Sequence, residues 1–206
     1  MRLLVCAATE WELSAWGEPE DGVSLRVTGV GAPATFMALL ERPAVDLIVN
    51  IGIAGAYPGS GLAIGDLVVG ESEVWGDVGF ALPEPPHFRP IQDSPFGAFY
   101  AEPLALHIPT ALGLPQGRGC TVQTCTGTDT QGAQRRELFS AHFETMEGAA
   151  LAQLGHHWQI PVCELRAISN IAAQRDMRPE NLHLSRERLG KFLQQDTIKS
   201  VFFHKI

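Results

Sequence analysis

The chain is sparing with charge, and most of all with positive charge. Of its 206 residues 18% are charged, with 15 Lys or Arg against 23 Asp or Glu and a formal net charge of −8. A duplex-binding surface needs clustered Lys and Arg to meet phosphates, so this deficit argues against nucleic acid as a partner. No apolar run approaches the length needed to span a bilayer, which argues against a membrane partner. The opening Met1-Arg2-Leu3-Leu4-Val5 is too short for a signal core and leads into acidic residues, so a cytoplasmic protein is expected.

Cysteine is also scarce. Cys6, Cys120, Cys125 and Cys163 form no Cys-x-x-Cys pair, and three of them lie in apolar, strand-like runs. They read as small buried side chains rather than disulfides or ligands. The histidines do not cluster either: His156 and His157 are adjacent, and consecutive helical positions share no face. No metal site is expected. The Gly-x-Gly-x-x-Gly fingerprint and the Gly-Lys-Ser/Thr phosphate loop are both missing, which makes a dinucleotide oxidoreductase a remote reading.

What remains is 45% hydrophobic, enough for one domain over residues 1–206 with a core that needs no staples. Arg2 to Ala8, Asp46 to Gly52 and Pro161 to Ser169 read as buried strands. Val23 to Val30, a stretch starting at Gly65 and running toward Trp75, and Gly119 to Cys125 read as further strands. A brief extended piece is expected at Phe143 to Met146. Helices are expected at Ala34 to Glu41, Gln131 to Phe139, Gly148 to His157 and Ser185 to Gln195. The proline-dense stretch 76–118 predicts a long functional loop with a short helix near Glu102 to Leu106. Alternating strands and helices imply an α/β fold, three layers α/β/α around a mixed, largely parallel central sheet.

Ligands of open α/β sheets collect where strands end. Thr9-Glu10-Trp11-Glu12, Gly52-Ile53-Ala54-Gly55, Thr126-Gly127, Met146-Glu147 and Ser169-Asn170 all follow predicted strands or precede a helix. Singly, each has a plain structural explanation, such as a first-turn carboxylate or a turn glycine. Their convergence is the functional signal.

Three of these segments resemble the purine nucleoside phosphorylase/nucleosidase superfamily. Asn50-Ile51-Gly52-Ile53-Ala54-Gly55 followed by Ile64-Gly65-Asp66-Leu67-Val68-Val69 looks like its ribose-side glycine loop. Thr145-Met146-Glu147-Gly148-Ala149-Ala150 resembles its ribose-binding Met-Glu segment, and Arg166-Ala167-Ile168-Ser169-Asn170 the strand ending at the base-binding residue. The resemblance implies a purine nucleoside as small-molecule substrate, no cofactor, and a homodimer. It implies Glu12 and Asn170 as catalytic residues, and Gly52, Ile53, Thr126, Gly127, Met146 and Glu147 as substrate-binding residues.

Phosphorylases of that superfamily carry a Gly-Asp-Pro-x-Arg-like segment after the first strand; here Ala7-Ala8-Thr9-Glu10-Trp11-Glu12 stands in its place. Two carboxylates there would repel a phosphate dianion, whereas a carboxylate can orient water. The resemblance therefore points to the hydrolytic branch, with Glu12 at the water-activating position. Adenine-specific nucleosidases end their last strand with Ser-Asp, and this chain has Ser169-Asn170. An amide suits a 6-oxopurine, so release of hypoxanthine is expected, as in the futalosine hydrolases of menaquinone biosynthesis. Futalosine also carries an aromatic carboxylate on its ribose side chain. His87 or Arg89 could meet it, although a solvated loop charge is the plainer reading. Alternatives are an adenine nucleosidase for methylthioadenosine and S-adenosylhomocysteine, a true phosphorylase, or a non-catalytic nucleoside-binding protein.

Overall fold

The computed structural model describes residues 1–173 and 178–203. The first apolar run is β1, Leu3–Ala7, buried along its whole length. Thr9 then starts a single helical turn, α1 (Glu10–Leu13), its hydroxyl accepting the Glu12 N–H at 3.2 Å. β2 (Val23–Val27) alternates between half-buried and exposed positions, as an edge strand does. α2 (Ala32–Ala38) follows Gly31 with Pro33 in its first turn, and stops short of the expected Glu41. β3 runs from Leu47 to Ala56 and β4 from Leu67 to Trp75.

The 76–118 stretch is more ordered than the expected loop. It folds as a small hairpin of β5 (Gly79–Ala81) and β6 (Phe88–Pro90), two 3₁₀ turns, a short strand β7 (Leu104–Ala105) and a third 3₁₀ turn. The helix expected at Glu102 to Leu106 does not form. Leu104 and Ala105 pair with β4, and the N–H groups of Leu106 and His107 go to the carbonyls of Glu71 and Val162. Sheet pairing satisfies the donors that a helix would have used.

β8 (Gln116–Thr121) starts ahead of the expected Gly119 and stops four residues short of the expected Cys125, while α3 (Asp129–Phe139), β9 (Phe143–Thr145), α4 (Gly148–Trp158) and β10 (Val162–Ile171) follow close to expectation. α5 (Pro179–Leu193) begins ahead of the expected Ser185, with Pro179 in its first turn, and an unexpected short α6 (Asp196–Val201) follows it.

The strands make one mixed sheet in the order β2-β1-β3-β9-β8-β4-β10, with most pairings parallel. β10 pairs with β3 as well as β4, so β3, β10, β4, β8 and β9 close into a ring. The expected sheet was open. Closure depends on the length of β3, which pairs with β1 up to Asn50 and with β9 at Gly55 and Ala56.

Helices cover both faces. Trp16, Leu189, Leu193 and Phe202, from α1's exit, α5 and α6, pack on Leu3, Val5, Val49 and Leu165. Leu39 and Leu151 pack with α2 and α4 on Leu4, Cys6 and Ile48. Adjacent strand residues thus serve opposite layers, as the pleat requires.

Candidate active site

Where β1, β3, β9 and β10 converge, the structure encloses a cavity of about 370 Å³ with mainly apolar walls, a size suited to a small ligand. Three glutamates line it, Glu12, Glu144 and Glu147, while no Lys, Arg or His does so among the described residues.

Glu12 is placed by its own helix cap. Its Oε2 accepts from the Thr9 hydroxyl at 2.9 Å, and its Oε1 accepts from the Ile53 N–H at 3.0 Å. Each oxygen has one anchor and lone pairs to spare, so the carboxylate is fixed yet still able to accept from a ligand or water. Ile53, whose side chain lines the cavity, thus contributes its backbone as well.

Glu147 stands at the N-terminal boundary of α4. Its Oε1 accepts the Gly31 N–H at 2.8 Å, and its Oε2 lies 4.0 Å from Arg166 Nη2. Burial raises its pKa above the usual carboxylate range, Arg166 and the Gly31 N–H oppose that rise, and Glu12 and Glu164 add to it. Met146 precedes it on the cavity wall, with its sulfur 3.6 Å from that of Cys125. Cys125 is half-buried there, whereas Cys6, Cys120 and Cys163 are buried thiols in the core.

Asn170 sits just past a bulge in β10. The pairing steps from Ile168↔Ala54 to Asn170↔Gly55, leaving Ser169 as the extra residue. The Ser169 hydroxyl donates to Asn170 Oδ1 at 3.0 Å. That bond turns the Asn170 amide so that its NH₂ group, with one weak bond to the Ile171 carbonyl at 3.3 Å, is the donor left for a ligand.

Thr126 also lines the cavity, but its N–H and hydroxyl are bound to Glu144, at 3.1 Å and 2.5 Å. Glu144 accepts further from the Tyr57 hydroxyl and pairs with Arg135 at 3.5 Å. Sequence reasoning missed Glu144. The clue was its place in Phe143-Glu144-Thr145-Met146, where an acid in an extended piece beside the Met-Glu segment has no apolar purpose. Arg166 was missed as well, since a buried arginine in a strand reads like any other residue of that strand.

Several expectations need correction. Gly52 does not line the cavity; it lies beneath it, where a Cβ would fall 2.5 Å from Arg166 Nη1 and 2.7 Å from Glu12 Oε1. Nor do Gly52 and Gly55 form a loop, because both belong to β3 and face β10. Gly127 is exposed outside the cavity, its N–H donating to Gln131 Oε1. Glu10 is exposed, so one carboxylate of the first helical turn, not two, faces the site. His87 and Arg89 belong to the β5–β6 hairpin region and do not reach the cavity wall.

The family model described as the phosphorylase superfamily matches residues 17–196. The chain belongs to that superfamily. It is an enzyme. It is 34% identical to a futalosine hydrolase of Streptomyces coelicolor over 169 residues, 76% of this chain and 70% of the relative. It is 30% identical to a 5′-methylthioadenosine/S-adenosylhomocysteine nucleosidase of Tolumonas auensis over 162 residues, 73% of this chain and 69% of that one. A solved structure of a futalosine hydrolase mutant from Helicobacter pylori superposes with a TM-score of 0.77 at 20% identity, covering 97% of this chain and 98% of that one. That likeness is one of fold.

Proposed function

We propose that this superfamily member is a nucleosidase that hydrolyses futalosine and releases hypoxanthine. The observation carrying the hydrolytic half is the charge of the site: three carboxylates and no cation line the cavity among the described residues. A phosphate dianion would meet repulsion there, whereas a water molecule would meet an anchored acceptor at Glu12. Two buried cations lie behind the wall and both are taken up by carboxylates, Arg166 by Glu164 at 2.8 Å and Arg135 by Glu144 at 3.5 Å.

Water gives one proton to Glu12 as its oxygen bonds to the anomeric carbon; the glycosidic bond breaks, its electron pair leaves with the base, and the base takes up a proton from solvent. Glu147 accepts from the ribose hydroxyls, and these bonds strengthen as positive charge develops on the sugar. Met146 covers the sugar's apolar face. The Asn170 NH₂ donates toward N7 or the 6-oxo group of the leaving base. These roles extend the chemistry of the residues to a bound substrate, and Gly52 joins them as the bare backbone that admits Glu12 and Arg166.

Two observations favour futalosine over methylthioadenosine. Asn170, oriented by Ser169, is a donor suited to an oxo group. Trp11 lines the cavity with the Arg186 guanidinium 5.7 Å above its ring and His183 edge-on at 6.1 Å. An aryl carboxylate on the ribose side chain can stack on that indole beside the Arg186 guanidinium. An adenine nucleosidase remains the second reading, favoured by the 30% identical relative. Val30 on the cavity wall, and Met37 and Leu40 along and just after α2, are exposed apolar side chains. They support a second copy of the chain covering this side of a cytoplasmic homodimer.

The test is a rate comparison on futalosine, methylthioadenosine and inosine, with the released base identified by chromatography. The proposal expects hypoxanthine from futalosine at the highest kcat/KM. Faster adenine release from methylthioadenosine overturns the substrate assignment, and no base from any of them favours a binding protein.

A further inference from the structure

Beneath the cavity lies a second acidic pair that this chemistry does not use. Glu73 on β4 and Glu164 on β10 are fully buried. Their carboxyls meet under the first turn of α4, where a Cβ on Gly148 would collide with Glu73 Oε1 and Glu164 Oε1. A Cβ on Gly70 would strike Glu164, and one on Gly119 would strike Glu73. The surrounding backbone carries no side chain at three positions that the pair occupies.

The two acids have different partners. Glu164 Oε1 accepts three N–H groups: Asn50 Nδ2 at 3.0 Å, Arg166 Nε at 3.0 Å and Arg166 Nη2 at 2.8 Å. Glu73 accepts only hydroxyls, from Thr121 on β8 at 2.7 Å and Thr145 on β9 at 3.0 Å. Glu164 Oε2 is buried and receives no bond from any other group. Burial and then the facing Glu164 push the Glu73 carboxyl well above its usual range, the direction that favours its protonated form.

Arg166 is thus divided between layers. It binds Glu164 below, and above it faces Glu147 at 4.0 Å and the Glu12 carboxylate across Gly52. We propose that Glu164 is a positioning residue for the reaction: packed against the Glu73 carboxyl and bonded to Arg166 at 2.8 Å, it takes the larger share of Arg166 and limits how much of that cation reaches Glu147 at 4.0 Å. Glu147 also has Glu12 and the Gly31 N–H as neighbours, and Asn50, Thr121 and Thr145 add no charge. Removing the negative charge at Glu164 leaves Arg166 to Glu147 and lowers its pKa.

The inference rests on Glu147 acting as an ionised acceptor for ribose. Activity is then lost as pH falls through the pKa of Glu147. E73Q keeps a neutral donor facing Glu164 and should leave the acid limb of kcat/KM in place. The double variant E73Q/E164Q removes the buried charge, and its acid limb should move down by about one pH unit, the scale of a nearby charge. A limb displaced in E73Q, or unmoved in a folded double variant, overturns the role of Glu164. Glu147→Gln run alongside separates the two ideas, since full activity in that variant sinks the ribose-binding reading itself. If the double variant does not fold, infrared spectroscopy decides. The wild-type protein at neutral pH should show a protonated-carboxyl stretch that E73Q lacks, and its absence in the wild type or persistence in E73Q contradicts the proposal.

Discussion

The Glu12 carboxylate accepts the backbone N–H of Ile53 at 3.0 Å across 41 residues of sequence. It joins the first helical turn to the middle of β3, and Thr9 holds its other oxygen. A carboxylate fixed at both ends loses little entropy when water binds, which is what positioning contributes to catalysis.

Glu12→Gln keeps the size of the side chain and removes its capacity as a base. Substrate affinity should change little while kcat falls by about 10²- to 10⁴-fold, the range for a general base. Steady-state kinetics with a binding measurement check this, and near-normal turnover would remove Glu12 from the mechanism.

Gly52→Ala places a methyl group 2.5 Å from Arg166 Nη1 and 2.7 Å from Glu12 Oε1. Both are polar ends of side chains held by hydrogen bonds, so the strain displaces the Glu12 carboxylate rather than the apolar cavity wall. Stability should drop by about 1–3 kcal/mol, as for overpacking, and kcat should fall more than KM rises. Denaturant unfolding and kinetics on the same preparation separate the two effects.

Asn170→Asp replaces a donor by a group that the Ser169 hydroxyl can still bond at one oxygen. The ratio of kcat/KM for hypoxanthine over adenine nucleosides should fall by about tenfold or more, the value of one hydrogen bond to a buried polar group. An unchanged ratio would detach Asn170 from base choice.

Glu73 gives a stability prediction with a definite sign. Its pKa is raised in the folded state, so its contribution is complete below the unfolded value of about 4.3 and declines as pH rises toward the folded value. As pH rises above the unfolded value, denaturant midpoints should therefore decline more steeply for the wild type than for E73Q. Parallel slopes would mean that Glu73 is not held neutral.

Much of this was legible in the sequence because it depended on local pattern. The wholly apolar Leu3–Ala7 segment announced a buried strand, and Gly148–Trp158 announced a helix. Glu12, Met146, Glu147 and Asn170 do share one cavity. What was hidden depended on partners distant in the chain. Gly52 and Gly55 suggested a turn, yet they are bare because Arg166 and Asn170 lie against them. Leu104–Ala105 joined β4 because a sheet edge was available, which no local propensity reveals. Glu73 and Glu164 stand 91 residues apart, and the pairing of β4 with β10 sets their strands side by side.

The central claim is that water, directed by Glu12, is the nucleophile in this cavity. The most direct test runs the reaction in ¹⁸O-labelled water with and without phosphate and analyses the sugar product by mass spectrometry. A free sugar carrying the label at its anomeric carbon, formed at a rate indifferent to phosphate, is the predicted result. A sugar 1-phosphate, or turnover that requires phosphate, would contradict the account.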